Sequence, residues 1–279
     1  MSNKKLTLSI VIPAYNEQRY LKACLDSIAQ QIDMPDEVFV VDNNSTDNTA
    51  KIAKSYSFVT LLHESNQHQS FAQATGFNAA SSDILGRIDA DSILPVDWVT
   101  NVKKHFVASP KLIAITGSTT PYDISISSAG TKIFRTYIDF ASWLAGSRKL
   151  WGADCALRRS EWLKVKDKVT KSSKIWEDYD LSFCIAPNGR VALVDDINVA
   201  SSFRAVHKSL LTQIGYQFRA VRTFYHHRGV AKTAVFLSVW TTMFFIYLLT
   251  RLDKYVIKPL FGVFSTNEPS REVVTLKAE

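Results

Sequence analysis

Short apolar runs alternate with stretches of helical periodicity over the first ninety residues. Leu8–Ile12 is an apolar run closed by Pro13 and predicts a strand. Between Glu17 and Gln30, Leu21, Cys24, Leu25 and Ile28 recur at the spacing of one helix face. Pro35 breaks the chain beyond that helix, and Glu37–Val41 predicts a second strand. The polar turn Asp42-Asn43-Asn44-Ser45-Thr46-Asp47 follows, with Ser45 or Thr46 placed to cap a helix from near Asn48. Phe58–Leu62 predicts a third strand, and Phe71–Ala80 a helix of small residues. Ile84–Ile88 then ends abruptly in Asp89-Ala90-Asp91. This order predicts an α/β fold: an open, mostly parallel sheet flanked by helices.

Beyond the two aspartates the pattern loosens. Pro95 opens a helix to about Val107, and Leu112–Thr116 predicts a fifth strand. A helix is expected near Tyr137–Leu144, and residues 151–157 suit a strand. Ser160 is placed to cap a turn from Glu161, and 164–174 is a basic loop. Trp176-Glu177-Asp178-Tyr179-Asp180-Leu181 opens another helix, and Val191–Val194 predicts a last strand. With no clear linker, residues 1–203 read as one catalytic domain, 204–265 as helices and 266–279 as a polar tail.

The C-terminal third changes character. His207–His227 pairs an apolar stripe (Leu210, Leu211, Ile214, Phe218, Val221, Phe224, Tyr225) with Arg219, Arg222, His226 and Arg228. Thr233–Thr250 is an uncharged, aromatic-rich run, followed by Arg251, Lys254 and Lys258. The pattern predicts membrane-associated helices, and hence a membrane-associated protein with a cytoplasmic catalytic domain. Three arrangements stay open: a helix that spans, one that lies in the plane, or one buried in a homo-oligomer.

Charge and composition narrow the chemistry. A 46% hydrophobic, 21% charged chain is globular rather than disordered. A net charge of +7 suits nucleic acid, anionic lipid or phosphorylated substrates. Much of that charge falls in the basic loop and the C-terminal helices, which argues against a nucleic-acid-binding face. Cys24, Cys155 and Cys184 have no metal-ligand spacing, so a disulfide framework is not expected. Alternation puts Asp89 and Asp91 on one side of a strand end, where they can share a divalent ion with ligand phosphates. No glycine-rich phosphate loop is present, so side chains and a metal would hold a nucleotide.

Five segments together resemble the inverting family 2 glycosyltransferases of the GT-A fold. They are Ser9-Ile10-Val11-Ile12-Pro13-Ala14-Tyr15-Asn16-Glu17, Val40-Val41-Asp42-Asn43-Asn44-Ser45-Thr46-Asp47, Gly76-Phe77-Asn78-Ala79-Ala80, Asp89-Ala90-Asp91 and Glu177-Asp178-Tyr179-Asp180-Leu181. They stand in the family's order over residues 7–200. The resemblance implies transfer of a sugar, with inversion, from a UDP- or GDP-sugar to a lipid-linked or cell-surface glycan. It implies that Pro13, Tyr15, Glu17 and Asp42 hold the nucleoside part of the donor. Asp89 and Asp91 would be the Mg²⁺ or Mn²⁺ motif, with Asp91 the direct ligand. Asp178 would be the catalytic base, its pKa raised by Glu177 and Asp180. Gly152 and Asp154 would lie near the sugar.

Departures from the family pattern carry information. Gln73-Ala74 stands where many members have Arg-Asn, which implies a missing arginine contact. Ser201-Ser202-Phe203-Arg204 resembles a Thr-Ser-x-Arg segment, making Arg204 the candidate diphosphate contact in preference to His207. The Gln-x-x-Arg-Trp pattern of processive synthases is not found, so single addition is expected. A nucleotidyltransferase-like enzyme is the alternative, but residues 9–17 hold neither the glycine nor the arginine of its opening loop.

Overall fold

The computed structural model describes residues 5–123, 136, 139–204 and 209–252. His207 and the tail 266–279 lie outside the described residues. Nine strands are described: β1 Leu8–Ala14, β2 Glu37–Asp42, β3 Val59–His63, β4 Ile84–Arg87, β5 Leu112–Thr116, β6 Thr119–Pro121, β7 Cys155–Arg158, β8 Arg190–Leu193 and β9 Val199–Ser201. The helices are α1 Leu21–Ala29, α2 Thr49–Lys54, α3 Gln69–Ala79, α4 Trp98–Ala108, α5 Arg159–Val165, α6 Glu177–Ile185 and α7 Leu210–Leu252, with a further helical turn at 139–145.

Seven strands form the main sheet in the order β3-β2-β1-β4-β7-β5-β8, and β6 pairs with β9. The sheet is mixed, because β7 runs antiparallel to both β4 and β5 while the other neighbours are parallel. Alternation along the strands builds two cores. Ile10, Ile12, Val38, Val40 and Ile84 face Leu21, Leu25 and Ile28 of α1 and Trp98, Val102 and Phe106 of α4. Val11, Phe39, Val41 and Leu85 face Phe77 of α3, Trp162 of α5 and Leu181 and Ile185 of α6. Helices on both faces of the sheet bury its inner strands, which is why β1, β2, β4 and β5 are largely apolar, while the edge strands β3 and β8 stay partly exposed.

Asn16 and Asn44, in the loops after β1 and β2, adopt left-handed backbone (φ 56° and 64°), a region asparagine tolerates. Asn16 Oδ1 accepts the Thr46 N–H at 2.8 Å, so the two loops brace each other. The α2 terminus is held by Asp47, which accepts from Thr49 N at 2.9 Å, rather than by Ser45 or Thr46. Likewise α5 begins at Arg159 without a side-chain cap, so Ser160 does not cap it.

The expected membrane-associated C-terminal helices require correction. Among the described residues, no helix is long and apolar enough to cross a membrane. This overturns that part of the expected architecture and the membrane localisation built on it. The physical reason lies in composition: Lys232 and Arg251 bracket the run, and Ser238, Thr241 and Thr242 dilute it. The helix also breaks at Gly229, which holds φ 72° and ψ −176°. Before that break α7 has a protein partner. Ala220, Thr223 and Phe224 are buried, the Phe224 ring meets Tyr179 and Phe183 of α6, and Trp176 N–H donates to Thr223 Oγ1 at 2.9 Å. The chain divides into two compact units, Met1–Thr233 and Ala234–Glu279.

Candidate active site

A cleft of about 780 Å³ opens at the C-terminal ends of β1 and β4. Strand order reverses there, since β1 passes to β2 on one side and β4 on the other. Open α/β sheets bind ligands at such a switch point. Pro13, Tyr15 and Glu17 line the cleft from the β1 end, Asp89 and Asp91 from the β4 end, and Asp178 from the start of α6. Arg204 closes it from the segment after β9.

Two ion-pair groups organise the walls. The first centres on Arg87, the last residue of β4 and 2% exposed. Its Nη1 donates to Asp178 Oδ1 at 2.6 Å and to Gln73 Oε1 at 2.7 Å. Its Nη2 lies 3.3 Å from Asp89 Oδ1 and 3.5 Å from Glu177 Oε1. Lys149 Nζ, also buried, stands 3.5 Å from Asp178 Oδ2 and 3.7 Å from the centre of the Trp151 ring. Burial alone would raise the Asp178 carboxyl, but Arg87, Lys149 and the Gly152 N–H hold it below the usual carboxylate range. Glu177 moves the other way, raised by burial and by the Asp178 charge. This corrects the expectation that neighbouring carboxylates raise Asp178: crowding lifts Glu177 instead, while Asp178 takes the cations and stays ionised.

The second group centres on Arg204. Its guanidinium grips both oxygens of Glu17, with Nη1 to Oε2 at 2.9 Å. Its Nη2 also reaches Asp91 Oδ2 at 3.2 Å. Asp91 accepts a further bond from Ser201 Oγ at 3.3 Å. Burial pushes Asp91 up to about 7, with Asp89 adding to the rise and Arg204 opposing it. The donors at this end are carboxylate and hydroxyl oxygens, the set a hard cation such as Mg²⁺ or Mn²⁺ takes when ligand phosphates complete its shell. Asp91 and Asp89 are thus oxygen donors of the kind such an ion takes, held here by Arg204 and Arg87.

Other expected residues sit elsewhere. Asp42 is buried at the end of β2, where it accepts from Ser45 N at 3.3 Å, and its neighbour Asn43 lines the cleft. Asp154, just before β7, is fully buried and accepts from Trp98 Nε1 at 2.9 Å. Burial raises its carboxyl well above the usual range against that bond. Gly152 lies against Arg87, and a Cβ there would overlap the guanidinium. Arg87, Lys149, Gln69 and Trp176 were not singled out from the sequence as site residues. The signal for Arg87 was present: it shares strand parity with Asp89 and Asp91. Gln73 also acquires a role, since the guanidinium it accepts from arrives on β4.

The family profile for glycosyl transferase family 2 matches residues 9–163, more than half of the chain. Among curated relatives, an N-acetylglucosaminyltransferase of Rhizobium meliloti is 29% identical over 234 residues, covering 74% of this chain and 53% of that protein. The glycosyltransferase GlyA of Streptococcus pneumoniae is 31% identical over 112 residues, 39% of this chain and 16% of that protein. The chain spans less than two thirds of the length of such relatives. Among solved structures, Staphylococcus aureus TarS with UDP-GlcNAc superposes with a TM-score of 0.62 at 15% identity, over 84% of this chain and 72% of that one. The mannosyltransferase PcManGT of Pyrobaculum calidifontis, with GDP-Man and Mn²⁺, gives 0.58 at 18%, over 94% and 89%. On the profile match and these superpositions, the chain belongs to glycosyl transferase family 2 and has the GT-A fold.

Proposed function

We propose that the chain transfers a glycosyl group, with inversion, from a UDP- or GDP-sugar to a hydroxyl of a glycan acceptor in cell-envelope assembly. One observation carries this reading. An ionised, buried carboxylate, Asp178, faces the same cleft as the Asp89–Asp91 pair. In an inverting displacement the acceptor oxygen attacks the anomeric carbon as the diphosphate departs from the opposite face. The acceptor O–H becomes strongly acidic as the new bond forms, so a base of low pKa can take its proton late in the step. Arg87 and Lys149 keep Asp178 ionised for that role. Tyr15 and Glu17 would hold the nucleoside, with Arg204 moving from Glu17 to the diphosphate oxygens. Asp91, with Asp89, would hold a Mg²⁺ or Mn²⁺ ion, which supplies charge stabilisation for the leaving diphosphate. Trp151 and Trp176 offer ring faces to the transferred sugar or the acceptor.

The test is a panel of UDP- and GDP-sugars, scored by calorimetric binding with Mn²⁺ and by nucleoside diphosphate release. Binding of one donor class, lost in Asp91→Asn, supports the reading. Failure of every nucleotide sugar to bind, with nucleoside triphosphates binding instead, favours a nucleotidyltransferase.

A further inference from the structure

A second cluster of metal-ligating side chains lies away from the cleft. Asp180 and Cys184 stand four residues apart on α6 and so share a helix face. His227 reaches them from α7. One ligand atom from each lies within 4.8 Å of the others, and His227 Nε2 is 2.7 Å from Asp180 Oδ1. All three residues belong to the same compact unit. We propose that Asp180, Cys184 and His227 form a binding site for a zinc-class divalent ion that ties α7 to α6.

The donor set decides the class of ion. One carboxylate oxygen, one imidazole nitrogen and one sulfur suit Zn²⁺, Co²⁺ or Fe²⁺, whereas Mg²⁺ and Mn²⁺ prefer the all-oxygen end of the cleft. Bonds of about 2.0–2.3 Å in a tetrahedron separate ligand atoms by roughly 3.3–3.8 Å, so small rotamer shifts within the cluster suffice. The surroundings fix the ligands. Asp180 is fully buried, and its Oδ2 accepts from Thr170 N at 2.7 Å. Cys184 Sγ lies 3.7 Å from the Lys168 carbonyl oxygen. The His227 ring is wedged between Phe183 and His226, at 5.1 and 4.9 Å. Such outer contacts orient metal ligands. Cys184 is only partly buried, which leaves a path from solvent, and three protein ligands leave a fourth position for water. Without an ion, burial and the Asp180 charge push the thiol up to about 12, against Lys168. A bound cation reverses that balance and takes the sulfur as thiolate.

The ion would fix the helix that presents Asp178, two residues before Asp180. The test uses the full chain, tag removed, stripped with chelator and titrated with Co²⁺ and then Zn²⁺. A thiolate-to-cobalt charge-transfer band at one equivalent is expected, bleached by Zn²⁺. Cys184→Ser should abolish the band, and His227→Gln should weaken Zn²⁺ binding by about tenfold or more. Asp91→Asn should leave the band intact, which separates this site from the cleft. Circular dichroism checks that each variant is folded. Absence of the band in the parent chain, or its persistence in folded Cys184→Ser, overturns the proposal and leaves a His227–Asp180 hydrogen bond.

Discussion

At the scale of single residues, Arg87 carries the most structure per atom. It neutralises a pocket in which Asp89, Glu177 and Asp178 converge, and it does so while almost wholly out of water. Removing one partner of such a group strands the others. Arg87→Met should therefore cost about 3–5 kcal/mol of stability in denaturant titration, far more than an exposed arginine would. A second residue-scale prediction concerns pH. His68 accepts from Ser70 N at the start of α3, and burial, then Arg219 and Arg87, lower it from 6.5 to about 4. The folded state thus binds fewer protons than the unfolded state between those values. Its contribution is complete above about pH 6.5 and is lost as pH falls toward 4. His68→Asn keeps a capping side chain that does not titrate. Its melting temperature should fall less between pH 7 and 4 than that of the parent. Equal profiles would show that His68 is not part of the acid response. The acidic site residues were legible because carboxylates at strand ends stand out. Arg87 and Lys149 were not, because a buried cation is defined by partners brought from distant segments.

Elements were read best where pattern and burial agree. The strand–helix alternation through β4 follows from strands buried on both faces and helices buried on one. β7 was harder: Cys155-Ala156-Leu157-Arg158 is a short mixed run with no periodicity, and its antiparallel insertion depends on a long excursion after β5. That excursion delivers Trp151 and Ala153 to the cleft wall, Lys149 to Asp178 and Gly152 to Arg87. Gly152 packs tightly, since any Cβ there meets the Arg87 guanidinium. Gly152→Ala should displace Arg87 and cost about 1–3 kcal/mol, with turnover reduced alongside. An unchanged melting temperature and full activity would mean that the loop can retreat without disturbing Arg87.

For the whole molecule, the sequence pointed correctly to the α/β class but misjudged the C-terminal helices. An apolar stripe with flanking arginines reads alike whether lipid or protein covers it. Here part of the α7 stripe, at Phe224, is covered by α6. The division after Thr233 gives a direct prediction. A chain ending at residue 233 should fold and bind donor nucleotide, with its melting temperature within about 4 °C of the full chain. Loss of folding in that truncation would show that the C-terminal unit is needed for the first. The central claim is that Asp178 takes the acceptor's proton in a cleft that other residues use to hold the donor. Once the donor is identified, single-turnover transfer by Asp178→Asn should be measured beside calorimetric binding of that donor. The account predicts a transfer rate lower by ~10²–10⁴-fold with donor affinity nearly unchanged. Transfer at the parent rate, or a loss confined to donor binding, would contradict it.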